Sequence, residues 1–424
     1  MLFGGSLSSI QYKFLLYKTQ YFLDNIIKLI YFLKFKNYSA KVILIIRMQF
    51  IIVHEDKTSK ARCGVIKTAH GDIETPIFMP VGTIGSVKAV EQRNLINDIN
   101  AEIILGNTYH LYLQPGCEIL HQSRGLHNFI NWGSPILTDS GGFQVYSLSK
   151  MRKISEEGVE FKSHLDGSKH FFSPEKVIDI ETTIGADIIM PLDECTPFEC
   201  GYSYTKKSID RTHRWLKRSI EHFNKTRDED NAYQNLFGIV QGSLYKDLRR
   251  ESAEVIASMD VAGYAIGGVC HTNGNLEGLY DISGYVCEQL PKSKPRYFMG
   301  VGTPLDILKC IERGVDMFDC VMPTRCARNG RIFTTEGVLQ IKNKKWEDNF
   351  EPIDENLENY VSKNYSKAYL HHLFKSQELL AYQLASIQNL SFYMWIVKNA
   401  RENIKNGNYS SWVKSILETI TRKI

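Results

Sequence analysis

Two carboxylates in the sequence stand where they could act on a sugar. Asp319 lies in the segment DMFDCVMPTRCARNG, after a short apolar run and ahead of Arg325 and Arg328. Asp139 ends another apolar run and is followed by a glycine turn in DSGGFQ. Substitution at an anomeric carbon uses such a pair, since one carboxylate attacks C1′ and the other transfers protons. The alternative for Asp319 is an ion pair with an arginine, which at a surface contributes little.

A second group of residues could bind a flat polar ligand. The glycine turn after Asp139 lets backbone N–H groups approach a ligand closely, and Phe143 offers a face for stacking. Asp193 and Gln241 could together satisfy the donor and acceptor edges of a purine-like heterocycle. Each signal is weak alone, because phenylalanine is usually a core residue and a strand-end Asp often caps the next helix.

These residues fall at the ends of short apolar runs that are continuous rather than alternating. Such runs are typical of strands buried on both faces in a parallel sheet. Segments with helical spacing lie between most of them, and one starts with Ser-Pro-Glu, a favourable helix start. The pattern predicts a (β/α)8 barrel, with a doubly wound open sheet as the alternative. The predicted strands are 76–83, 102–110, 135–142, 186–194, 236–243, 263–269, 296–303 and 315–323.

The barrel places many polar residues around one mouth, because active sites of this fold lie at the C-terminal ends of the strands. The residues at those ends are Asn107, Tyr109, His110, Asp139, Asp193, Glu194, Gln241, Gly267, Gly268, Gly300, Gly302 and Asp319.

The composition is that of an ordinary globular protein. The chain of 424 residues is 43% hydrophobic and 23% charged. Its nine cysteines have no metal-type or disulfide-type spacing, which predicts reduced thiols and a cytoplasmic location.

The first 47 residues differ from the rest. They contain six lysines and Arg47 against Asp24, a net charge of +6, which leaves −2 for residues 48–424 out of the total of +4. Any nucleic-acid contact must therefore be a local patch. Lysines interrupt each apolar run before it could span a membrane. We interpret residues 1–47 as a non-essential extension, with a targeting or membrane role as the alternative, and predict no membrane partner for the folded domain that Met48 opens.

Several motifs in a fixed order resemble the bacterial tRNA-guanine transglycosylases, also called queuine tRNA-ribosyltransferases. The similarity runs from about Met48 to the C-terminus and includes FMPVGTIGSVKAV, ILGNTYHL, ILTDSGGFQVYSL, DECTPFEC, GIVQGS, GYAIGG, YFMGVGTPLDIL and DMFDCVMPTRCARNG. The resemblance implies a (β/α)8 barrel with a small inserted sub-domain, here residues 346–392, and a homodimer. It also implies exchange of guanine at wobble position 34 for a 7-deazaguanine, preQ1 or queuine, in tRNAs for Asp, Asn, His and Tyr with GUN anticodons.

The resemblance assigns roles to individual residues. Asp319 would be the nucleophile that forms a covalent intermediate with tRNA, and Asp139 the general acid/base. The base would be bound by Ser140, Gly141, Gly142, Phe143, Asp193, Gln241, Gly268 and Met299. RNA would be contacted by Gly300, Val301, Gly302, Thr303, Pro304, Leu305, Asp306, Thr324, Arg325, Cys326, Ala327 and Arg328.

The chain departs from the family at its zinc site. Members carry C-x-C-x-x-C and a later histidine, whereas the matching positions here are Leu357, Asn359, Ser362 and Gln388. None offers a thiolate or an imidazole, so we predict no cofactor and no zinc. The neighbouring His371 and His372 are predicted to pack or face solvent.

A second departure follows the AIGG motif. The sequence GGVCHTN places His271 and Asn273 where bacterial members have a pocket-narrowing valine and a supporting glutamate. We therefore expect the accepted base to differ from the usual aminomethyl precursor, with queuine itself as a candidate. A barrel glycoside hydrolase and a non-catalytic tRNA-binding subunit are the rival functions, although the latter lacks the nucleophile in known relatives.

Overall fold

The computed structural model describes residues 48–148, 152–197, 200–228, 231–269 and 276–424. All of these belong to one of the two units into which the chain divides, Ile46–Ile424. The extension predicted for residues 1–47, and both His271 and Asn273, lie outside the described residues.

The described strands are numbered in chain order. They are β1 (Gln49–Glu55), β2 (Arg62–Thr68), β3 (Gly71–Thr75), β4 (Ile77–Met79), β5 (Ile104–Asn107), β6 (Ile136–Asp139), β7 (Arg152–Ile154), β8 (Val159–Lys162), β9 (Lys169–Phe172), β10 (Ile188–Ile189), β11 (Asn235–Val240), β12 (Gly263–Ile266), β13 (Arg296–Phe298), β14 (Met317–Asp319), β15 (Arg331–Thr334) and β16 (Gly337–Gln340).

The described helices are numbered in the same way. They are α1 (Gln92–Asn97), α2 (Thr108–Leu111), α3 (Cys117–Gln122), α4 (Leu126–Ile130), α5 (Gly142–Leu148), α6 (Pro174–Ile184), α7 (Tyr202–Thr226), α8 (Lys246–Ala257), α9 (Leu276–Gln289), α10 (Pro304–Ile311), α11 (Met322–Arg328), α12 (Tyr360–Asn364), α13 (Lys367–Lys375), α14 (Leu379–Lys405) and α15 (Tyr409–Thr421). A π-helical turn (Tyr112–Gly116) and a 3-10 turn (Lys344–Trp346) complete the set.

Eight parallel strands form the central sheet, in the order β4-β14-β13-β12-β11-β10-β6-β5. Its two outer strands also meet, because Val81 pairs with Leu105 and the Gly82 N–H donates to the Leu105 carbonyl at 2.7 Å. The sheet is therefore closed, which confirms the (β/α)8 barrel and shows that the open-sheet alternative is wrong. All eight predicted strands form, but each is shorter than its apolar run because the run continues into the loop that follows.

The helices between the strands follow local sequence signals. Helix α6 begins where the Ser-Pro-Glu motif predicts, with the Ser173 hydroxyl accepting from the Lys176 N–H at 3.1 Å. Helix α7 buries Ile209, Trp215 and Phe223 on one face while its many basic residues stay on the other. Such one-sided burial is what attaches a barrel helix to the sheet. No described helix is long and apolar enough to cross a membrane.

A buried ion pair ties the N-terminal sheet to the barrel. The Arg62 guanidinium on β2 donates to both oxygens of Asp316, at 2.9 and 2.7 Å, and both side chains are almost fully buried. Asp316 also accepts from the Arg296 N–H at 2.7 Å. The pair therefore joins β2 to the entry of β13 and β14, at the barrel end opposite the predicted mouth.

Arg62→Met is expected to destabilise the protein by about 3–5 kcal/mol, because it leaves the Asp316 carboxylate buried without its counter-charge. Denaturant-induced unfolding measures this loss. The control is Lys67→Met, which breaks an exposed pair with Asp72 and should cost less than about 1 kcal/mol. Similar small losses in both variants would contradict a structural role for the buried pair.

Candidate active site

The C-terminal ends of the barrel strands bring the two predicted carboxylates to one mouth. Asp139 is the last residue of β6 and Asp319 the last residue of β14. Both are half-buried, so each keeps part of its surface open to the mouth. The barrel thus positions two carboxylates that lie 180 residues apart in the chain.

Asp139 is held by the strand next to it. In the β5–β6 register Asn107 pairs with Asp139. The Asn107 amide donates to Oδ2 of Asp139 at 2.5 Å, and the backbone N–H groups of Thr108 and Gly141 donate to Oδ1 at 3.1 and 3.2 Å. These donors fix the carboxyl group in one orientation.

The hydrogen bonds that Asp319 accepts from the described residues all go to one of its oxygens. The Tyr297 hydroxyl donates to Oδ1 of Asp319 at 2.6 Å, and the Gly300 N–H donates to the same atom at 2.7 Å. Among the described residues neither Arg325 nor Arg328 forms an ion pair with Asp319, so the surface-pair alternative is wrong. The second oxygen, Oδ2, remains available to a ligand in the mouth.

The charge of Asp319 influences the ionisation of Asp139. Burial raises the pKa of Asp139 to about 7. The hydrogen bond from the Thr108 N–H lowers this pKa, whereas the negative charge of Asp319 raises it further. Burial also raises the pKa of Asp319, while Tyr297 and Gly300 oppose the rise. With a pKa of about 7, Asp139 can both release and accept a proton near neutral pH, which is what acid/base chemistry needs.

A polar pocket floor lies beside the carboxylates. The Gln241 amide donates to Oδ2 of Asp193 at 2.7 Å, and the Ser140 hydroxyl donates to Oδ1 at 3.2 Å. All three side chains are buried, and burial raises the pKa of Asp193. The Oε1 atom of Gln241 is buried with no hydrogen-bond partner in the described residues. An unpaired buried acceptor is costly, so its presence at the mouth indicates a ligand that donates to it.

Two glycines of the predicted base site leave space for these groups. A Cβ on Gly142 would lie 2.7 Å from Oδ1 of Asp193, and one on Gly268 would lie 2.4 Å from Oε1 of Gln241. Gly268 also has a φ of +70°, which L residues rarely adopt. Any side chain at either position would displace the pocket floor.

The remaining predicted base-site residues lie around the same mouth. Phe143 is half-buried on α5, directly after the glycine turn, and Met299 is half-buried just beyond β13. Gly141 packs against Tyr109, where an added Cβ would lie 2.9 Å from that side chain. Glu194, at the same rim, is instead bound by the Tyr204 hydroxyl and by Arg211 from α7.

The segment predicted to contact RNA after β13 is mostly buried. Val301, Pro304 and Asp306 are inside the protein, and Asp306 accepts from the Tyr280 hydroxyl at 2.7 Å. The Thr303 hydroxyl caps α10 by accepting from the Asp306 N–H. The parts that reach the surface are Gly300, Thr303 and Leu305, while Gly302 packs directly on Cys320.

The second segment predicted to contact RNA forms α11. Arg325 is exposed, and Arg328 is half-buried with its guanidinium donating to the Thr324 carbonyl at 3.0 Å. Thr324 and Ala327 are buried on the inner face of the helix. The helix therefore presents a cation beside the mouth, just after Asp319.

Tyr297 and Glu181 are supporting residues that sequence reasoning missed. Tyr297 lies within β13 and is almost fully buried. Its hydroxyl donates to Asp319. Glu181 on α6 accepts from the hydroxyls of Thr108 and Thr138, which flank the Asn107–Asp139 pair. A tyrosine inside an apolar strand needs a partner for its hydroxyl, and that requirement is the signal which could have found Tyr297.

The four positions that match the family's zinc ligands do not fit a metal. Asn359 and Ser362 both donate to Oε1 of Gln388, each at 2.9 Å, and the Ser362 N–H donates to Oδ1 of Asn359 at 2.8 Å. Leu357 is buried beside them. Zinc sites use thiolate, imidazole or carboxylate ligands, and this set offers none. His371 is turned away, with Nδ1 donating to the Ile341 carbonyl.

Another cluster contains metal-ligating residue types, at the opposite end of the barrel. His70 and His127 both contact Asp187, at 2.8 and 3.2 Å. Their rings are stacked with centroids 3.8 Å apart and an interplanar angle of 19°. An imidazole binds a metal in its own ring plane, and two nearly parallel planes do not meet at one ion. The cluster is therefore a set of polar contacts that joins the loop after β2 to α4 and to Asp187, the residue before β10.

A closed barrel with two half-buried carboxylates at the C-terminal ends of its strands is typical of enzymes of the (β/α)8 class, whose active sites lie at that end. Comparison with known proteins narrows this class. The family model described as queuine tRNA-ribosyltransferase matches residues 56–422, and the chain belongs to that family.

Three curated relatives named queuine tRNA-ribosyltransferase illustrate the similarity. The protein of Caldanaerobacter subterraneus subsp. tengcongensis is 50% identical over 371 residues, which cover 88% of this chain and 97% of that protein. The protein of Fusobacterium nucleatum subsp. nucleatum is 50% identical over 366 residues, with 86% and 96% covered. The protein of Aquifex aeolicus is 49% identical over 378 residues, with 87% and 98% covered.

Asp319→Asn is expected to lower the pKa of Asp139 below about 7, because the neighbouring negative charge no longer opposes its ionisation. Carbon-13 NMR of protein labelled at the aspartate Cγ follows the titration, and Asp139→Asn identifies the resonance. Asp166→Asn is the control, since Asp166 lies in an exposed turn with a pKa of about 2. An unchanged Asp139 titration in Asp319→Asn would contradict the coupling between the two groups.

Proposed function

We propose that the protein exchanges guanine at wobble position 34 of tRNAs with GUN anticodons for a 7-deazaguanine, in queuosine modification. The observation that carries this proposal is the pair of carboxylates with different hydrogen-bond environments, set beside an unpaired Gln241 acceptor at one barrel mouth. Family membership supports the reaction class. We also propose a cytoplasmic location, which is compatible with a tRNA substrate.

In the first step Oδ2 of Asp319 attacks C1′ of the nucleotide. The bond between C1′ and N9 of guanine breaks as the bond between C1′ and Asp319 forms, and Asp139 protonates the departing base. Tyr297 and Gly300 hold the other Asp319 oxygen, so the attacking atom is directed into the mouth. The raised pKa of Asp139 supplies the proton at neutral pH.

In the second step the incoming 7-deazaguanine takes the place of guanine. Asp139, now a carboxylate, accepts the proton from N9 of the new base, which attacks C1′ and releases Asp319. Thr108, Gly141 and Asn107 stabilise the ionised form of Asp139 during this step. The same group therefore acts as acid and then as base.

The pocket floor recognises the base in both steps. Asp193 accepts N–H groups of a guanine-like edge, and Oε1 of Gln241 accepts a further one. Gly268 brings its backbone close to the ligand because it has no side chain. Phe143 and Met299 cover the two faces of the ring.

The exposed Arg325 and the surface of the loop after β13 bind the RNA around the target nucleotide. The base must leave the anticodon stack to reach the mouth, as base-modifying enzymes require. Acceptance of queuine rather than its precursor stays a prediction, because it depends on His271 and Asn273 outside the described residues, and a homodimer likewise stays a prediction.

Asp319→Asn is expected to reduce tRNA-dependent guanine exchange by at least about 10³-fold and to abolish the covalent tRNA adduct, because an amide cannot attack C1′. Exchange is measured with labelled guanine and a GUN-anticodon tRNA, and the adduct by denaturing gel. Asp72→Asn, at an exposed position, is the control and should match wild type. Exchange that survives in Asp319→Asn, or release of free sugar by wild type, would refute the proposed reaction.

We also propose that the sub-domain of residues 346–392 holds itself together without zinc. The network around Gln388 joins the start of α12 to α14, and the Gln388 amide reaches the Phe333 carbonyl of β15 at 3.4 Å. These are the elements that a metal would otherwise connect. All four residues of the set are buried, so their hydrogen bonds are protected from water.

Purified protein is expected to contain no stoichiometric zinc, and a strong chelator should leave its melting temperature unchanged. Gln388→Ala should destabilise it by about 2 kcal/mol, because Asn359 and Ser362 lose their shared acceptor. Elemental analysis and thermal unfolding measure these effects, with the exposed Gln377→Ala as the control. One zinc ion per chain, or a chelator-induced loss of stability, would overturn the proposal.

A further inference from the structure

Arg249 on α8 is a fully buried arginine with an unusual set of partners. Its side chain is 0% exposed, and among the described residues it forms no ion pair with a carboxylate. Instead Nε donates to the Ser243 carbonyl, Nη1 to the Val240 carbonyl and Nη2 to the Gly267 carbonyl, each at 2.8 Å. Among the described residues, the hydrogen bonds of the guanidinium therefore all go to backbone carbonyls.

Burying a cation is costly unless hydrogen bonds compensate its charge. The hydrogen bonds from the guanidinium to the three carbonyls must therefore be strong, and they hold those carbonyls in place. The planar guanidinium donates in several fixed directions at once, which the single ammonium of a lysine cannot reproduce. An apolar side chain could fill the same space without the charge. The arginine thus fixes the geometry of its partners rather than only packing the interior.

The three carbonyls lie next to the two residues predicted to bind the base, Gln241 and Gly268. Val240, the last residue of β11, and Ser243 flank Gln241 in the sequence, and Gly267 directly precedes Gly268. The first loop has a demanding backbone, with a φ of +140° at Gly242 and +50° at the non-glycine residue Ser243. Such conformations persist only where surrounding structure enforces them.

A second residue of α8, Ser252, holds the same loop. Its hydroxyl oxygen accepts from the Gln241 N–H at 3.3 Å and contacts Nε2 of His213 at 3.0 Å. Ser252 lies three residues after Arg249, so both face the loop from one side of the helix. Arg249 thus binds the carbonyls before and after Gln241, and Ser252 binds the Gln241 N–H. These contacts direct the Gln241 side chain at Asp193.

We propose that Arg249 and Ser252 are positioning residues for base recognition, which hold the Val240–Ser243 turn and the Gly267 peptide so that Gln241 and Gly268 face the base. This inference rests on the proposed function, because it takes Gln241 and Gly268 as the groups that read the base. Loosening either anchor should weaken binding of the free base more than binding of tRNA, since tRNA has further contacts outside the pocket.

Arg249→Lys and Ser252→Ala are expected to raise the KM for free base about tenfold, with a change in the KM for tRNA of less than about threefold. Steady-state exchange kinetics with each substrate varied in turn measure both constants. Gln241→Ala is run in parallel and should raise the KM for base by at least as much.

Two matched controls separate positioning from general destabilisation. Arg296→Lys changes another buried arginine that donates to backbone carbonyls, those of Gly314 and Leu290, at the opposite end of the barrel. Ser283→Ala changes another buried serine, whose hydroxyl donates to the Tyr280 carbonyl. Both controls are expected to lower the melting temperature without changing the KM for base.

The inference would be overturned if Arg249→Lys and Ser252→Ala leave the KM for base unchanged, or if their controls raise it equally. In that case a raised KM for base in Gln241→Ala would still support the base site. If Gln241→Ala itself leaves the KM for base unchanged, the base site is wrong and the inference falls with it. Should Arg249→Lys fail to fold, Ser252→Ala decides the question, because it removes a single oxygen atom.

Discussion

The active site depends on keeping two carboxyl groups close together in a poorly solvated mouth. Ionising both at once is unfavourable there, so the first proton to leave raises the cost of removing the second. The protein resolves this by giving Asp319 and Asp139 different donors. Asp139 has a pKa of about 7, so it can carry a proton near neutral pH.

The closed barrel is what makes this arrangement available. Each strand delivers its last residue to the same rim, and each neighbouring strand contributes a donor: Asn107 beside Asp139, Tyr297 beside Asp319. Helix α8 holds the ends of β11 and β12 in place, because its Arg249 donates to the Val240 and Gly267 carbonyls. Strands and their immediate neighbours therefore hold both carboxyl groups in a fixed orientation.

Much of this was predictable from the sequence for a physical reason. Continuous apolar runs that end in polar residues define buried parallel strands, so all eight strands and the positions of Asp139 and Asp319 followed from local pattern. The extents of the strands did not follow, because regular strand geometry ends at Met79 and Phe298 although Pro80 and Met299 continue the apolar runs. The loss of the zinc ligands was also evident, although the hydrogen bonds around Gln388 that occupy their place were not.

The sequence by itself determined the residue types, their order and the strand ends that carry them, since these depend on chemistry and periodicity along one chain. Only the tertiary structure decided which groups meet. The free oxygen of Asp319, the unpaired acceptor of Gln241 and the three carbonyls around Arg249 each depend on contacts between distant segments. The partner that each of these groups meets is a property of the packed barrel, and no local pattern encodes it.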